Sequence, residues 1–371
     1  MKFSICKLSF AVALHNCYGD AESQPFLSKS TPAFAGGFGT SSTQKNGKKS
    51  KKKKRGLISE ELALSPKVEQ KAQDPELDRF GLPVRTAENF FPSLPAETEI
   101  IGMDQETSLD AVQKAMSKYI QLNYDLFDEN AVEEVHGSPW KLKLLHQSPP
   151  VLEIENFFTK DECEKYMNIA NEVGQDPEEA GSNSPLKVNS GTFSNLALSK
   201  RTSTTWFCHF SQVPTLLAKA KRLLKNLPLK QMEEAQIVRY RTGEQFSWHY
   251  DEIPTAQLEN GGQRIATLLV YLNTLEKKNG GGTIFRDLKD ATGAELTMRP
   301  KQGSALLFFP AFVDGTPDDR TLHKGEVAVE KKMIAQMWIH EKEYIPVIPK
   351  GNTHESATEL VNAKEVELGY K

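Results

Sequence analysis

The stretch TLLVYL, Thr267–Leu272, and its later counterpart ALLFF, Ala305–Phe309, decide the fold class. Each is a nearly continuous apolar run and reads as a strand buried on both faces, although periodicity alone leaves a buried helix open for runs this short. Around them lie the strand candidates Gln236–Arg241, Arg264–Asn273, Gly282–Phe285, Glu295–Arg299, Ser304–Phe309 and Met333–His340, separated by clusters of Gly, Pro, Asn and Asp. Many short strands with no helices between them predict a sandwich or jelly roll. Helices precede them. Thr159 followed by Glu162 matches a capping box, with Phe158 at the staple position, and opens a helix through Cys163, Tyr166, Met167, Ile169 and Ala170. A second helix is predicted over Val213–Leu227. Further upstream, Leu109, Val112, Ala115, Met116, Tyr119 and Ile120 recur at helical spacing within Asp104–Glu129. The expected class is mainly β with flanking helices.

The chain has 371 residues, 38% hydrophobic and 26% charged, which suits one or two domains of a soluble protein with some disordered sequence. Its formal net charge of −3 gives no global reason to expect a nucleic-acid or anionic-membrane partner. No apolar stretch is long enough for a transmembrane helix. The four cysteines, Cys6, Cys17, Cys163 and Cys208, form no CxxC pair, so a zinc or thioredoxin motif is not suggested. Cys163 and Cys208 read as separate thiols or as a pair formed in an oxidising compartment.

Residues 1–95 read as a targeting and disordered region. Met1–Leu14 carries Lys2 and Lys7 around a short apolar stretch, a weak secretory (ER) signal. Ser28–Gly39 (SKSTPAFAGGFG) reads either as a flexible linker or, by its resemblance to bipartite algal leaders, as a plastid-targeting junction. Lys48–Arg55 (KKSKKKKR) is a basic run that fits a solvated tether, a nuclear localisation signal or an anchor to polyanions. The remaining division is a helical lead-in over 96–147, a catalytic domain over 148–346 and a mobile polar tail over 347–371, with His354 in the tail solvated.

His249-Tyr250-Asp251 is the central chemical feature. On an extended segment residues i and i+2 point to one side, so His249 and Asp251 present an imidazole and a carboxylate to a single ion. A third ligand comes from elsewhere, and His323 is available. Two histidines and a carboxylate with open positions form the facial triad of non-haem Fe(II) oxygenases. An HxD tripeptide alone is weak evidence, and the surrounding residues strengthen it. Strand alternation puts one of Lys331 and Lys332 inward, favouring Lys332 on the face of Ile334 and Gln336. A buried ammonium needs an anionic partner.

With these motifs the chain resembles the prolyl 4-hydroxylase family of Fe(II)/2-oxoglutarate-dependent dioxygenases over about Pro149–Tyr344. The segments VLEIENFFTKDEC, RTS of Arg201–Ser203, AQIVRYRTGEQFSWHYD, RIATLLVYLN, GGTIF, PKQGSALLFF, TLHKGE and KKMIAQMWIHE stand in the family's order. The resemblance implies a double-stranded β-helix (jelly roll) core. It implies a procollagen-proline 4-dioxygenase-like enzyme that uses Fe(II), 2-oxoglutarate, O₂ and L-ascorbate to hydroxylate proline in a polypeptide. It makes His249, Asp251 and His323 the iron ligands and Lys332 the anchor for the distal carboxylate of 2-oxoglutarate. Tyr240 and Thr283 become further co-substrate contacts, Trp338 an aromatic near the site, and Arg264 and Arg201 substrate contacts. Several departures stand out: a His323-to-Lys332 gap one residue shorter than usual, which reopens Lys331 as the anchor, Gly282 in place of Glu, and Lys324 after the distal histidine. Two alternatives remain at this point: the same chemistry on a nucleic acid or small molecule, and a non-catalytic binding module on the same fold.

Overall fold

A computed structural model describes residues 94–95, 108–127, 140–170, 185–189, 201–254, 257–349 and 351–371, all within one compact unit. The leader, the Phe-containing junction and the basic run lie outside these residues.

Among the described residues, thirteen strands build two antiparallel sheets. In chain order they are β1 (Leu94–Pro95), β2 (Lys141–Ser148), β3 (Pro150–Glu155), β4 (Leu186–Asn189), β5 (Thr204–Phe207), β6 (Gln236–Tyr240), β7 (Phe246–His249), β8 (Arg264–Tyr271), β9 (Thr283–Lys289), β10 (Glu295–Met298), β11 (Ala305–Phe308), β12 (His323–Gly325) and β13 (Lys332–His340). The large sheet runs β1-β2-β3-β11-β8-β13-β6-β5-β4 and the small one β10-β9-β12-β7. Four described α-helices flank them: α1 (Leu109–Met116), α2 (Lys160–Ile169), α3 (Pro214–Leu223) and α4 (His354–Glu367). No described helix is long and apolar enough to cross a membrane.

The two apolar runs are the central strands β8 and β11, adjacent in the large sheet and buried along their full lengths. Their continuity follows from covering on both sides. Leu268, Val270 and Leu307 face the helices, within a core shared with Leu216, Leu217 and Leu223 of α3. Leu269, Tyr271, Leu306 and Phe308 alternate to the other face and meet Phe246, Phe285, Leu296 and Met298 of the small sheet. The jelly-roll interior therefore lies between the sheets, and the helices seal the outer face. Truncating one of these buried leucines to alanine costs about 2–5 kcal/mol.

The Thr159–Glu162 capping box closes reciprocally at the start of α2. Cys163 and Cys208 are buried free thiols whose pKa values burial pushes up to about 12. Other boundaries need correction. The second helix stops at Leu223, well short of Leu227. The lead-in is not purely helical, because Lys141–Ser148 pairs with β3 as a strand of the main sheet. The tail is not a mobile polar segment. It forms α4, with Ala357 and Val361 buried in the helical core and Lys221 of α3 paired to Glu365 at 2.8 Å. His354 is not solvated: it stacks on Phe210, and its Nε2 donates to the Met232 carbonyl at 2.8 Å.

Candidate active site

The antiparallel pairing of β7 with β12 places His249 directly opposite His323, which brings together two imidazoles far apart in sequence. Asp251 follows as β7 ends, on the same side as His249. His249 Nε2 lies 3.6 Å from one Asp251 oxygen, and His323 Nε2 lies 3.7 Å from the other. One donor atom from each residue falls within 4.8 Å of the others. The Nδ1 atoms of His249 and His323 sit 2.7 and 2.9 Å from the carbonyls of Ser247 and Thr321. A carbonyl can only accept, so each Nδ1 carries the proton and each Nε2 turns its lone pair to the centre. Burial, followed by the neighbouring His323, lowers the His249 pKa to about 3, which keeps that imidazole neutral. Burial alone would raise the Asp251 pKa, but His323, His249 and Arg264 outweigh it and hold the carboxyl ionised. Thr267 donates to Asp251 Oδ2 at 2.8 Å and fixes the carboxylate plane. Two imidazoles and a carboxylate suit Fe(II), with the other coordination positions left to ligands.

The same cavity continues between the sheets to Lys332. Lys332 is buried, whereas Lys331 is exposed, so the loop before β13 absorbs the shortened spacing and Lys332 is the inward residue. Ile334 and Gln336 line the cavity on the same face, as alternation requires. Lys332 pairs in register with Tyr240 of β6, and its Nζ lies 5.1 Å from the Tyr240 ring and 5.6 Å from the Tyr271 ring. Among the described residues no carboxylate comes within ion-pair distance of it. Burial drives its pKa down to about 7, against the opposing pull of Glu326. Thr283 opens toward the cavity, with its hydroxyl 2.8 Å from that of Tyr271. Gly281 lets this end close: at φ +74°, a Cβ there would stand 2.7 Å from Leu275 and 3.3 Å from Lys332 Cδ. An ammonium with phenol and hydroxyl donors at one end, and three metal-type ligands at the other, fits a short dianion that chelates through its far end.

The remaining expected residues lie elsewhere. Trp338 continues the inward row of β13 but sits six residues from Lys332, about 20 Å along the strand. Its indole approaches Asp251, and the Arg264 guanidinium stacks on its ring at 3.9 Å. It belongs to the carboxylate's surroundings rather than to the lining of the co-substrate cavity. Arg264 is buried behind Asp251, bidentate to Glu233 at 2.6 and 2.8 Å, and donates to the Asp251 carbonyl at 3.3 Å. Arg201 bonds Ser203 and Thr205 and lies 4.8 Å over Phe246, the ring that stacks on His249. Gly282 accommodates the Arg299–Glu326 pair at 2.5 Å, with its own N–H donating to Glu326. Lys324 lies 4.5 Å over Trp248. Sequence reasoning missed Thr267 and Phe308 as lining residues, because both are hidden inside apolar runs.

Residues 235–340 match the model of the 2OG-Fe(II) oxygenase superfamily. "Probable prolyl 4-hydroxylase 7" of Arabidopsis thaliana is 33% identical over 222 residues, 56% of this chain and 67% of that protein. "Prolyl 4-hydroxylase 2" of the same plant is 29% identical over 244 residues, covering 61% of this chain and 77% of the relative. Among solved structures, the viral collagen prolyl hydroxylase of Paramecium Bursaria Chlorella virus-1 is 22% identical, covers 51% of this chain and 94% of that one, and has a TM-score of 0.35. With a His–Asp–His group that could hold a metal assembled across β7 and β12, and with the two plant relatives above matched over two thirds or more of their length, this chain belongs to the prolyl 4-hydroxylase family of Fe(II)- and 2-oxoglutarate-dependent oxygenases.

Proposed function

We propose that the chain hydroxylates proline within a polypeptide, using Fe(II), 2-oxoglutarate and O₂. The observation that carries this reading is one cavity with the His249–Asp251–His323 donor set at one end and the buried Lys332 ammonium at the other. The choice of proline is supported by relatives that are themselves named prolyl 4-hydroxylases. Bound iron supplies the redox chemistry that couples oxidative decarboxylation of the keto acid to hydroxylation of a C–H bond. The protein positions and shields. His249, Asp251 and His323 would hold the metal. Lys332 pairs with the distal carboxylate of 2-oxoglutarate, and Tyr240 and Thr283 complete its hydrogen bonding, which fixes the reacting geometry. Leu269, Phe308 and Ile334 keep the cavity between these ends apolar and strengthen the Lys332 pair by excluding water. L-Ascorbate belongs to the same proposal, as the reductant that restores ferrous iron after uncoupled cycles.

The test is succinate release from 2-oxoglutarate by Fe(II)-loaded protein, with and without a proline-rich peptide. Peptide-stimulated release that disappears in His249→Ala is the expected result. Release unaffected by His249→Ala would overturn the site assignment. Basal release that no proline peptide stimulates would overturn the substrate.

A further inference from the structure

Tyr119 lies outside both the family match at 235–340 and the region expected to form the catalytic domain, yet its side chain reaches the loop that leads into His323. Its phenol donates to Asp318 Oδ2 at 2.8 Å and accepts from Arg320 Nη2 at 3.2 Å. Arg320 closes on Asp318 with two further bonds, at 2.6 and 2.7 Å. The ring packs on Phe309 and Phe312, with centroids 5.1 and 5.0 Å away. The preceding residue joins in, because Val313 N–H donates to the Lys118 carbonyl at 3.1 Å. The polar centre of this cluster is buried: Tyr119, Asp318 and Arg320 are each at most 5% exposed. Burial, then Asp318, raises the Tyr119 pKa above its ordinary value, so the phenol stays protonated as a donor.

From Asp318 the contacts lead directly to the ligand. Asp318 caps a single 3₁₀ turn, Asp319–Thr321, by accepting from Arg320 N–H at 3.3 Å. The Asp318 carbonyl receives both the Thr321 N–H at 3.1 Å and the Thr321 hydroxyl at 2.8 Å. The Thr321 carbonyl then accepts the His323 Nδ1 proton at 2.9 Å. That bond sets the tautomer and ring direction of His323. The chain of bonds is short, buried and continuous: phenol, carboxylate, capped turn, carbonyl, imidazole.

We infer that Tyr119 is a positioning residue for His323, so that the segment after α1 is a working part of the metal site. The inference rests on the iron-site reading above. The same segment is anchored on its other side, where Asn123 N–H donates to the Leu223 carbonyl and Lys225 N–H donates to the Gln121 carbonyl, each at 2.9 Å or less. It therefore holds the His323 loop against a fixed support at the end of α3.

The test is titration of the full chain with Co(II) as the probe ion, read by its visible absorption, together with thermal unfolding of the same proteins. Tyr119→Phe keeps the ring contacts and removes only the hydroxyl. Val361→Ala, buried in α4, serves as a destabilised control remote from His323. Partners that bond a ligand directly govern metal affinity by about 10–100-fold, and Tyr119 acts a few bonds further out, so Tyr119→Phe is expected to weaken binding about 3–10-fold. Its absorption band should also change, while Val361→Ala binds as the unaltered protein does. Unchanged affinity and spectrum in Tyr119→Phe would overturn the inference. So would an equal loss in Val361→Ala, which would reduce the effect to stability. An unaltered protein that binds no Co(II) would instead overturn the metal-site reading beneath it.

Discussion

Replacing Lys332 by methionine should stabilise the protein without ligand and abolish its response to 2-oxoglutarate. Lys332 is 2% exposed, and burial drives its pKa from 10.5 to about 7. A change of that size corresponds to about 5 kcal/mol against the buried ammonium below pH 7. Methionine retains the length and apolar body of the side chain without the charge. The loss of the Tyr240 and Tyr271 ring contacts offsets about 2 kcal/mol, leaving a gain of about 3 kcal/mol. For a domain of this size that is a rise of about 6–12 °C in Tm. The pH dependence has a definite direction. Between pH 7 and 10.5 the folded state holds fewer protons than the unfolded chain, so the native protein regains stability as pH rises through that window. The advantage of Lys332→Met is therefore full below pH 7 and shrinks above it. Differential scanning calorimetry at pH 6.5 and pH 9, each with and without 2-oxoglutarate, measures all four states. A variant less stable than the parent at pH 6.5, or one that 2-oxoglutarate still stabilises, would refute the reasoning.

Three further outcomes follow from the same geometry. The KM for 2-oxoglutarate should be flat below pH 7 and rise about tenfold per pH unit above it, because binding must then return a proton to Lys332; initial rates across pH 6–9 check this. Thr283→Val, which removes the hydroxyl beside Tyr271 and Lys332, should raise that KM about 2–10-fold with iron affinity unchanged, as measured by steady-state kinetics and metal titration. Val361→Ala should cost about 2 kcal/mol in urea unfolding, whereas a mobile tail would give no change.

The centre of the large sheet was legible because β8 and β11 are covered on both faces, which makes their sequences continuously apolar. Lys332 was legible because strand alternation orients it with Ile334 and Gln336. The Lys331 alternative could be settled only by the loop before β13, whose slack no strand pattern reports. Strands β7 and β12 escaped because four and three residues carry no periodicity, yet their register is what joins His249 to His323. Helix α4 escaped for another reason. Its buried stripe is His354, Ala357, Val361 and Glu365, and two polar members of four disguise the helical pattern. Arg264 read as a substrate contact only through the family resemblance; its partner Glu233, 31 residues earlier, gave no local signal.

The most direct test of the central claim is a single reaction under ¹⁸O₂, with Fe(II)-loaded protein, 2-oxoglutarate and a proline-rich peptide, read by mass spectrometry of both products. The account predicts one ¹⁸O atom in a hydroxyproline and one in succinate, formed in equal amounts, with both lost in Asp251→Ala. Labelled succinate with an unmodified peptide, or products that persist in Asp251→Ala, would contradict it.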